Sequence, residues 1–244
     1  MIRVAVAGAH GRMGKVACAA LRAGVGSIVY AGGLARSDEP EQRVTSDLGA
    51  LLSDKPDVLL DFTTHPDSVN ISMQAVARGV RPVIGATGWS EEERAALARE
   101  TAQRGIGAMM VPNFSLGAAL MMRFAQEASR YLDSGEIVEM HRAEKKDQPS
   151  GTAMLTAERM AHASGKLPAI HSVRLPGLVA HQEVLFGGTA ELLTIRHDAF
   201  SRECFVPGIF TAIRAVMYAR GLIVGLDAVF ESPSPFDLIR EETR

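Results

Sequence analysis

Residues 4 to 14, VAVAGAHGRMG, carry the reading on which the fold turns. Ile2, Val4 and Val6 alternate as in a strand, and Met13, Val16, Ala17, Ala20 and Leu21 then recur at helical spacing. Gly8, Gly11 and Gly14 lie between and into the two. Small residues let such a turn be tight and let the backbone approach a pyrophosphate, while the helix N-terminus presents unpaired N–H groups and a positive dipole end. The spacing G-x-x-G-x-x-G differs from the common G-x-G-x-x-G, so the assignment rests on the strand before, the helix after and the βαβ pattern beyond.

That pattern continues. SIVYAG (27–32), VLLDF (58–62), PVIGA (82–86) and IGAMMV (106–111) read as strands, with a helix near 67–78 between the second and third. Ser90 and Glu93 form a capping box for a further helix, which Gly105 stops. Apolar strands alternating with helices argue for an α/β chain with a Rossmann-type, doubly wound parallel sheet. After VPNFSLG (111–117) the pattern changes to a helix (116–132), a strand EIVEMH (136–141), a helix (152–164) and the strands HSVRL, HQEVLFG and AELLTIRH. These last three read as antiparallel, with FGGTAE as a hairpin connection. The expectation is a dinucleotide-binding domain over 1–112 and an α+β domain with a mixed or antiparallel sheet over 113–204. A C-terminal segment, 205–244, containing the helical pattern IFTAIRAVMYARGL, should pack back on the first domain.

Composition narrows the function. With 47% hydrophobic and 22% charged residues and a formal net charge of −2, the chain of 244 residues has no basic footprint for nucleic acid. No run approaches ~18 apolar residues, and MIRVAVAGAH lacks the features of an export signal, so a cytoplasmic protein without a membrane segment is expected. Cys18 on a helix face and Cys204 in a strand read as two buried free thiols, and no metal motif is present.

Two regions carry chemistry. At the end of the second strand GGLARS supplies Arg36 where an acid would hold a ribose 2′-hydroxyl, so the charge pattern favours a 2′-phosphate and hence NADPH, with Arg12 able to help. DFTTHP (61–66) and GATGW (85–89) follow strands at their carboxyl ends and should line the nicotinamide half of the cleft. The second region is EMHRAEKKDQPSGTAM (139–154). Pro149 disfavours helix at Gln148, so the next helix starts at the Ser-Gly-Thr turn, which aims N–H groups and hydroxyls at one point as Lys145 and Lys146 arrive from the preceding loop. The product is an anion site suited to carboxylates, beside a histidine able to exchange protons near neutrality.

MHRAEKKDQPSGTA is similar to the signature of the 4-hydroxy-tetrahydrodipicolinate reductase (dihydrodipicolinate reductase) family, and VAGAHGRMG, DFTTHP, VIGATGW, VPNFSLG and HDAFSR follow that family's order over essentially the whole chain. The resemblance implies an NADPH- or NADH-dependent reductase of diaminopimelate and lysine biosynthesis, a homotetramer acting on a small cyclic dicarboxylate. It implies His141 as catalytic acid/base and Lys145 as proton donor or carboxylate partner, with Ser150, Gly151, Thr152 and Arg202 on the substrate. Gly8, His10, Gly11, Arg12, Met13, Arg36, Phe62 and Thr63 would hold the cofactor, with Gly85, Thr87, Pro112, Asn113 and Phe114 near the nicotinamide. VPNFS would act as a hinge.

The chain departs from the family pattern twice. Arg142 stands where a second histidine is usual, and would remake that substrate contact with a guanidinium or lose it; Ala35 stands where NADH-using members often carry an acid. Two other readings fit parts of the sequence: another two-domain NAD(P)-dependent reductase of an imine or carbonyl, and a catalytically silent NADP-sensing regulator.

Overall fold

The alternation of apolar runs and helical stretches forms a seven-stranded parallel sheet in the computed structural model, which describes residues 1–132 and 134–230. Its strands are β1 (Ile2–Ala7), β2 (Ile28–Leu34), β3 (Val44–Thr45), β4 (Val58–Asp61), β5 (Arg81–Ile84), β6 (Gly107–Met110) and, from the far end of the chain, β11 (Gly221–Val224). They lie in the order β11-β6-β5-β4-β1-β2-β3, each neighbour parallel to the next. The order reverses between β1 and β4, and ligands of such sheets bind outside the carboxyl ends of the strands at that point. Helices α1 (Arg12–Ala23), α2 (Leu48–Ser53), α3 (Asp67–Ala77), α4 (Glu91–Arg104) and α7 (Val206–Tyr218) belong to this unit. Burial on both faces explains why Val4, Ala5, Val6, Val58, Leu59 and Leu60 are all apolar and fully buried.

Several boundaries differ from expectation. β3 and α2 are too short to show periodicity in the sequence. The helical pattern expected through Leu222 ends at Tyr218, where Gly221, at φ 94°, turns the chain into β11. α7 packs against β4, β5 and β6, while the part of the 205–244 segment beyond 230 lies outside the described residues. At Gly208, in the first turn of α7, an added Cβ would lie 1.8 Å from the Phe114 carbonyl oxygen, so the returning chain touches the point where the first segment leaves. Cys18 is a buried free thiol on α1, but Cys204 is half-exposed in a 3-10 turn (Arg202–Phe205), because the preceding strand ends at Ala199 and Ser201 caps the turn by accepting from the Glu203 N–H.

The chain divides into two compact units, Met1–Phe114 with the segment from Phe205, and Ser115–Cys204. The second contains α5 (Leu116–Ala128), β7 (Ser134–His141), α6 (Gly151–Ser164), β8 (Ala169–Arg174), β9 (Ala180–Gly188) and β10 (Glu191–Ala199), with strand order β10-β9-β7-β8. β9 is antiparallel to β7 and β10, and Ala190, at φ 61°, sits in the tight turn joining β9 to β10. The HSVRL strand corrects the expectation: β8 runs parallel to β7. The reason is the connection, since α6 carries the chain back to the starting edge and a helical crossover of this kind joins parallel strands. One sheet face, carrying Ile137, Val184 and Phe186, packs on Ala125, Ala153, Ala157 and Met160 of α5 and α6.

The capping box expected at α4 is present, with the Glu93 N–H donating to Ser90 Oγ at 3.2 Å and the Ser90 N–H to Glu93 Oε2 at 2.7 Å, and Gly105 closes the helix at φ 65°. Ser90→Ala should cost about 1 kcal/mol and lower Tm by roughly 2–4 °C in a thermal unfolding scan. An unchanged Tm would mean that the cap contributes nothing here.

Candidate active site

Side chains on a strand alternate between faces, so Glu139 and His141 leave β7 on the same side as Ile137, toward the helices. Register adds the rest. Glu139 stands beside Ser172 of β8 and Gln182 of β9, and His141 beside Arg174 and Ala180. Arg174 Nη2 and Nη1 donate to Glu139 Oε1 and Oε2 at 2.6 and 3.0 Å, a bidentate clamp on a carboxylate that is 0% exposed. Glu139 Oε2 also lies 2.5 Å from His141 Nδ1, and the Ser150 N–H reaches Glu139 Oε1 at 3.3 Å. A carboxylate accepts, so Nδ1 carries the proton and Nε2 is the nitrogen available for exchange.

Burial pushes the Glu139 carboxyl up, but hydrogen bonds from Arg174, Ser172 and His141 outweigh it and hold the group below the usual carboxylate range. For His141 burial lowers the pKa; the Glu139 bond and charge oppose this, while the Lys145 and Arg174 charges reinforce it, and the net is below the ordinary imidazole value.

Lys145 follows four residues after His141, and its Nζ is held 2.5 Å from Asp147 Oδ2, in a loop that Arg174 ties down through the Asp147 carbonyl at 2.8 Å. Ser150 caps α6, accepting from the Ala153 N–H at 3.2 Å. Beside it, a Cβ added to Gly151 would meet nothing within 4 Å, so the protein's own packing does not require glycine and the space at the helix start stays open. No acid occupies that first turn. Arg142 is half-buried, directly after His141. Arg202 opens the 3-10 turn three residues beyond Ala199, whose row in the sheet runs through Ala180 to His141. The structure thus gathers His141, Lys145 and Ser150 around Glu139 and Arg174, with Arg142, Gly151 and Thr152 adjacent in sequence and Arg202 at the same end of the sheet.

The first unit holds a separate cradle. Gly8 adopts φ 77° and a Cβ there would lie 2.8 Å from the Phe62 carbonyl oxygen; at Gly14 it would lie 2.0 Å from the Gly8 carbonyl oxygen. Only glycine permits β1, β4 and α1 to approach in this way. α1 has no side-chain cap and no acid in its first turn, which leaves its N-terminal N–H groups for an anion. A cavity of ≈ 810 Å³ is lined by Gly8, His10, Gly11, Arg36, Phe62 and Thr63, among others. His10 Nε2 stands 3.2 Å from Glu39 Oε1, close enough for an ion pair when protonated but without the alignment of a hydrogen bond. These features fit a dinucleotide. Arg12 and Met13 lie in the first turn of α1. Gly85 packs against Phe62 and the buried Phe114, whose rings meet edge to face at 5.4 Å, while Thr87 and Pro112 are exposed and Asn113 is half-buried.

Family models for dihydrodipicolinate reductase match both halves of the chain, the N-terminal domain over residues 2–114 and the C-terminal domain over 117–230. The chain belongs to the dihydrodipicolinate reductase family. Relatives of this family include the 4-hydroxy-tetrahydrodipicolinate reductases of Moorella thermoacetica, 43% identical over 94% of this chain and 98% of the relative, and Halalkalibacterium halodurans, 41% identical over 95% and 100%. The dipicolinate-bound dihydrodipicolinate reductase from Paenisporosarcina sp. TG-14 superposes with a TM-score of 0.86 at 34% identity, covering 94% of this chain and 99% of that one. GenD2 of gentamicin A biosynthesis, in complex with NAD, shares the fold at a TM-score of 0.65 and 17% identity, covering 93% and 89%.

As in a dihydrodipicolinate reductase, the chain is an oxidoreductase whose first unit has the dinucleotide-binding fold, and no helix among the described residues is long and apolar enough to cross a membrane. Two residues of the site escape sequence reading. Glu139 is signalled by its place, a charge on the inward face of an alternating strand two residues before His141. Arg174 gives no local signal, because its role depends on the parallel pairing of β8 with β7.

A histidine whose pKa is lowered on folding binds fewer protons than in the unfolded chain, so its contribution to stability is present above the unfolded pKa and is lost as pH falls below about 6.5. His197, likewise lowered by burial, has the same sign. Tm should therefore fall between about pH 6.5 and 5, less steeply in His141→Gln, as followed by calorimetry. A His141→Gln profile as steep as that of the parent would count against the shift at His141.

Proposed function

We propose that this reductase converts 4-hydroxy-tetrahydrodipicolinate to tetrahydrodipicolinate in lysine and diaminopimelate biosynthesis, with NADPH preferred and NADH accepted. The observation that carries the reading is the arrangement of His141, oriented through Nδ1 by Glu139, beside a helix start whose first turn carries no acid of its own and where space stays open at Gly151. A bound nicotinamide supplies the hydride. The chain's own part is to hold a dianion and deliver a proton. The Gly151 and Thr152 N–H groups and the Ser150 and Thr152 hydroxyls receive one carboxylate, and Lys145, Arg142 and Arg202 supply compensating charge. The 4-hydroxy substrate loses water to give a conjugated imine; hydride addition at one end of it then leaves an electron-rich centre at the other, which His141 Nε2 or Lys145 Nζ protonates. The substrate's two negative charges favour the imidazolium, which offsets the low pKa of His141 in the free enzyme.

NADPH preference rests on Arg36, exposed at the carboxyl end of β2 and lining the same cavity as Gly8 and Gly11, with Ala35 in place of an acid. A cytoplasmic homotetramer is proposed on the family resemblance. Its support is the sheet face away from the helices, where Val138, Met140 and Leu185 stay partly exposed and Leu192 is exposed. Light scattering should give four chains per particle.

The test is the initial rate of NADPH and NADH oxidation with enzymatically generated hydroxy-tetrahydrodipicolinate. Turnover with both cofactors and a lower KM for NADPH are expected. Arg36→Ala should raise the NADPH KM by about tenfold and leave that for NADH nearly unchanged. His141→Gln should lower kcat by about 10²–10⁴-fold, and Lys145→Ala by about tenfold or more, in folded protein. Wild-type kcat in either variant removes that residue from the chemistry, and no turnover from folded protein that binds NADPH removes the substrate assignment.

A further inference from the structure

Asp61, the last residue of β4, is 0% exposed, and its hydrogen-bond partners among the described residues are all uncharged. Oδ1 accepts from the Thr63 N–H at 2.9 Å and the Thr63 hydroxyl at 2.5 Å; Oδ2 accepts from the Ser68 hydroxyl at 2.5 Å and, at 3.4 Å, from that of Ser72. Ser68 in turn receives the indole N–H of Trp89 at 3.1 Å. Because an indole nitrogen only donates, Ser68 must accept from Trp89 and spend its own proton on Asp61, which fixes the direction of the whole chain.

The chain joins two loops. Thr63 belongs to the segment after β4 and Trp89 to the segment after β5, and the Gly85 N–H adds a backbone bond of 2.8 Å to the Asp61 carbonyl. Phe62 and Thr63 line the dinucleotide cavity, and Gly8 packs on the Phe62 carbonyl. Burial without a countercharge pushes the Asp61 carboxyl up, against the pull of its donors. An apolar residue would fill the space without that cost. What it could not do is accept from several donors and so dictate where Thr63 and Ser68 stand.

We infer that Asp61 is a positioning residue of the dinucleotide site, fastening the loops after β4 and β5 through a hydrogen-bonded chain that ends on Trp89. The inference rests on the cofactor reading above. It differs from simple fold support in one respect, that cofactor affinity and not stability alone depends on the chain. In Asp61→Asn the amide places an NH2 group against Ser68, which already accepts from Trp89 and must turn its own proton elsewhere. Trp89→Phe keeps a ring but removes the indole donor.

The measurement is NADPH affinity by isothermal titration calorimetry for the full-length protein and for Asp61→Asn, Ser68→Ala, Trp89→Phe and the Asp61→Asn/Trp89→Phe double variant, with Tm measured alongside. Asp61→Asn and Ser68→Ala should weaken NADPH binding about tenfold and Trp89→Phe about threefold. The double variant should be no weaker than Asp61→Asn, because both changes break one chain. In the parent, the sole tryptophan should also change its emission as NADPH is added. Folded Asp61→Asn with the parent's affinity overturns the inference, as do penalties that simply multiply. If Asp61→Asn does not fold, Ser68→Ala and Trp89→Phe decide, and unchanged affinity in both overturns it. A parent protein that fails to bind NADPH at all overturns the cofactor reading instead.

Discussion

A carboxylate removed from water costs several kcal/mol unless charge or hydrogen bonds meet it, and both halves of this chain are built around one. Glu139 is met by a guanidinium, an imidazole, a hydroxyl and a backbone N–H. Asp61 is met by hydroxyls and a single N–H. The difference suits the two places. A charged clamp beside His141 keeps a neighbouring acid ionised and the imidazole in one tautomer. Hydroxyls beside a dinucleotide cavity hold loops in shape and add no cation to compete for phosphate.

The geometry around each carboxylate follows from topology. In the parallel sheet, the reversal of strand order between β1 and β4 leaves their carboxyl ends without a covering crossover, and there Gly8 meets Phe62. In the mixed sheet, α6 returns the chain to the edge, so β8 lies beside β7 in parallel and brings Arg174 level with His141. An antiparallel β8 would present a different row of side chains to β7. The bidentate clamp on Glu139 is thus a consequence of a helix's path.

Much of this was legible in the sequence because it depends on local pattern. The glycines, the alternating strands, the Ser90–Glu93 capping box and the PSGT turn each declare a backbone conformation within a few residues. So does the nearness of His141 and Lys145. What the sequence withheld is long-range pairing. Arg174 lies 35 residues from Glu139, and nothing in HSVRL says which strand it will join. β3 and β11 are similarly decided by the sheet that receives them, since two to four residues carry too little periodicity to declare a strand, and at β11 a helical pattern runs on through Leu222. Trp89 looked like part of a loop, and its tie to Ser68 appears only once α3 and the loop after β5 are side by side.

The contact of Gly208 with the Phe114 carbonyl bears on how the protein is made. The last strand and helix of the parallel sheet are translated only after all of Ser115–Cys204, so the first unit remains an open six-stranded sheet on the ribosome until the second has been synthesised. During that interval β6 is an exposed edge, with Gly107–Met110 unpaired on one side, the kind of surface that invites association with other chains. The length of the intervening unit therefore sets how long that edge waits for β11.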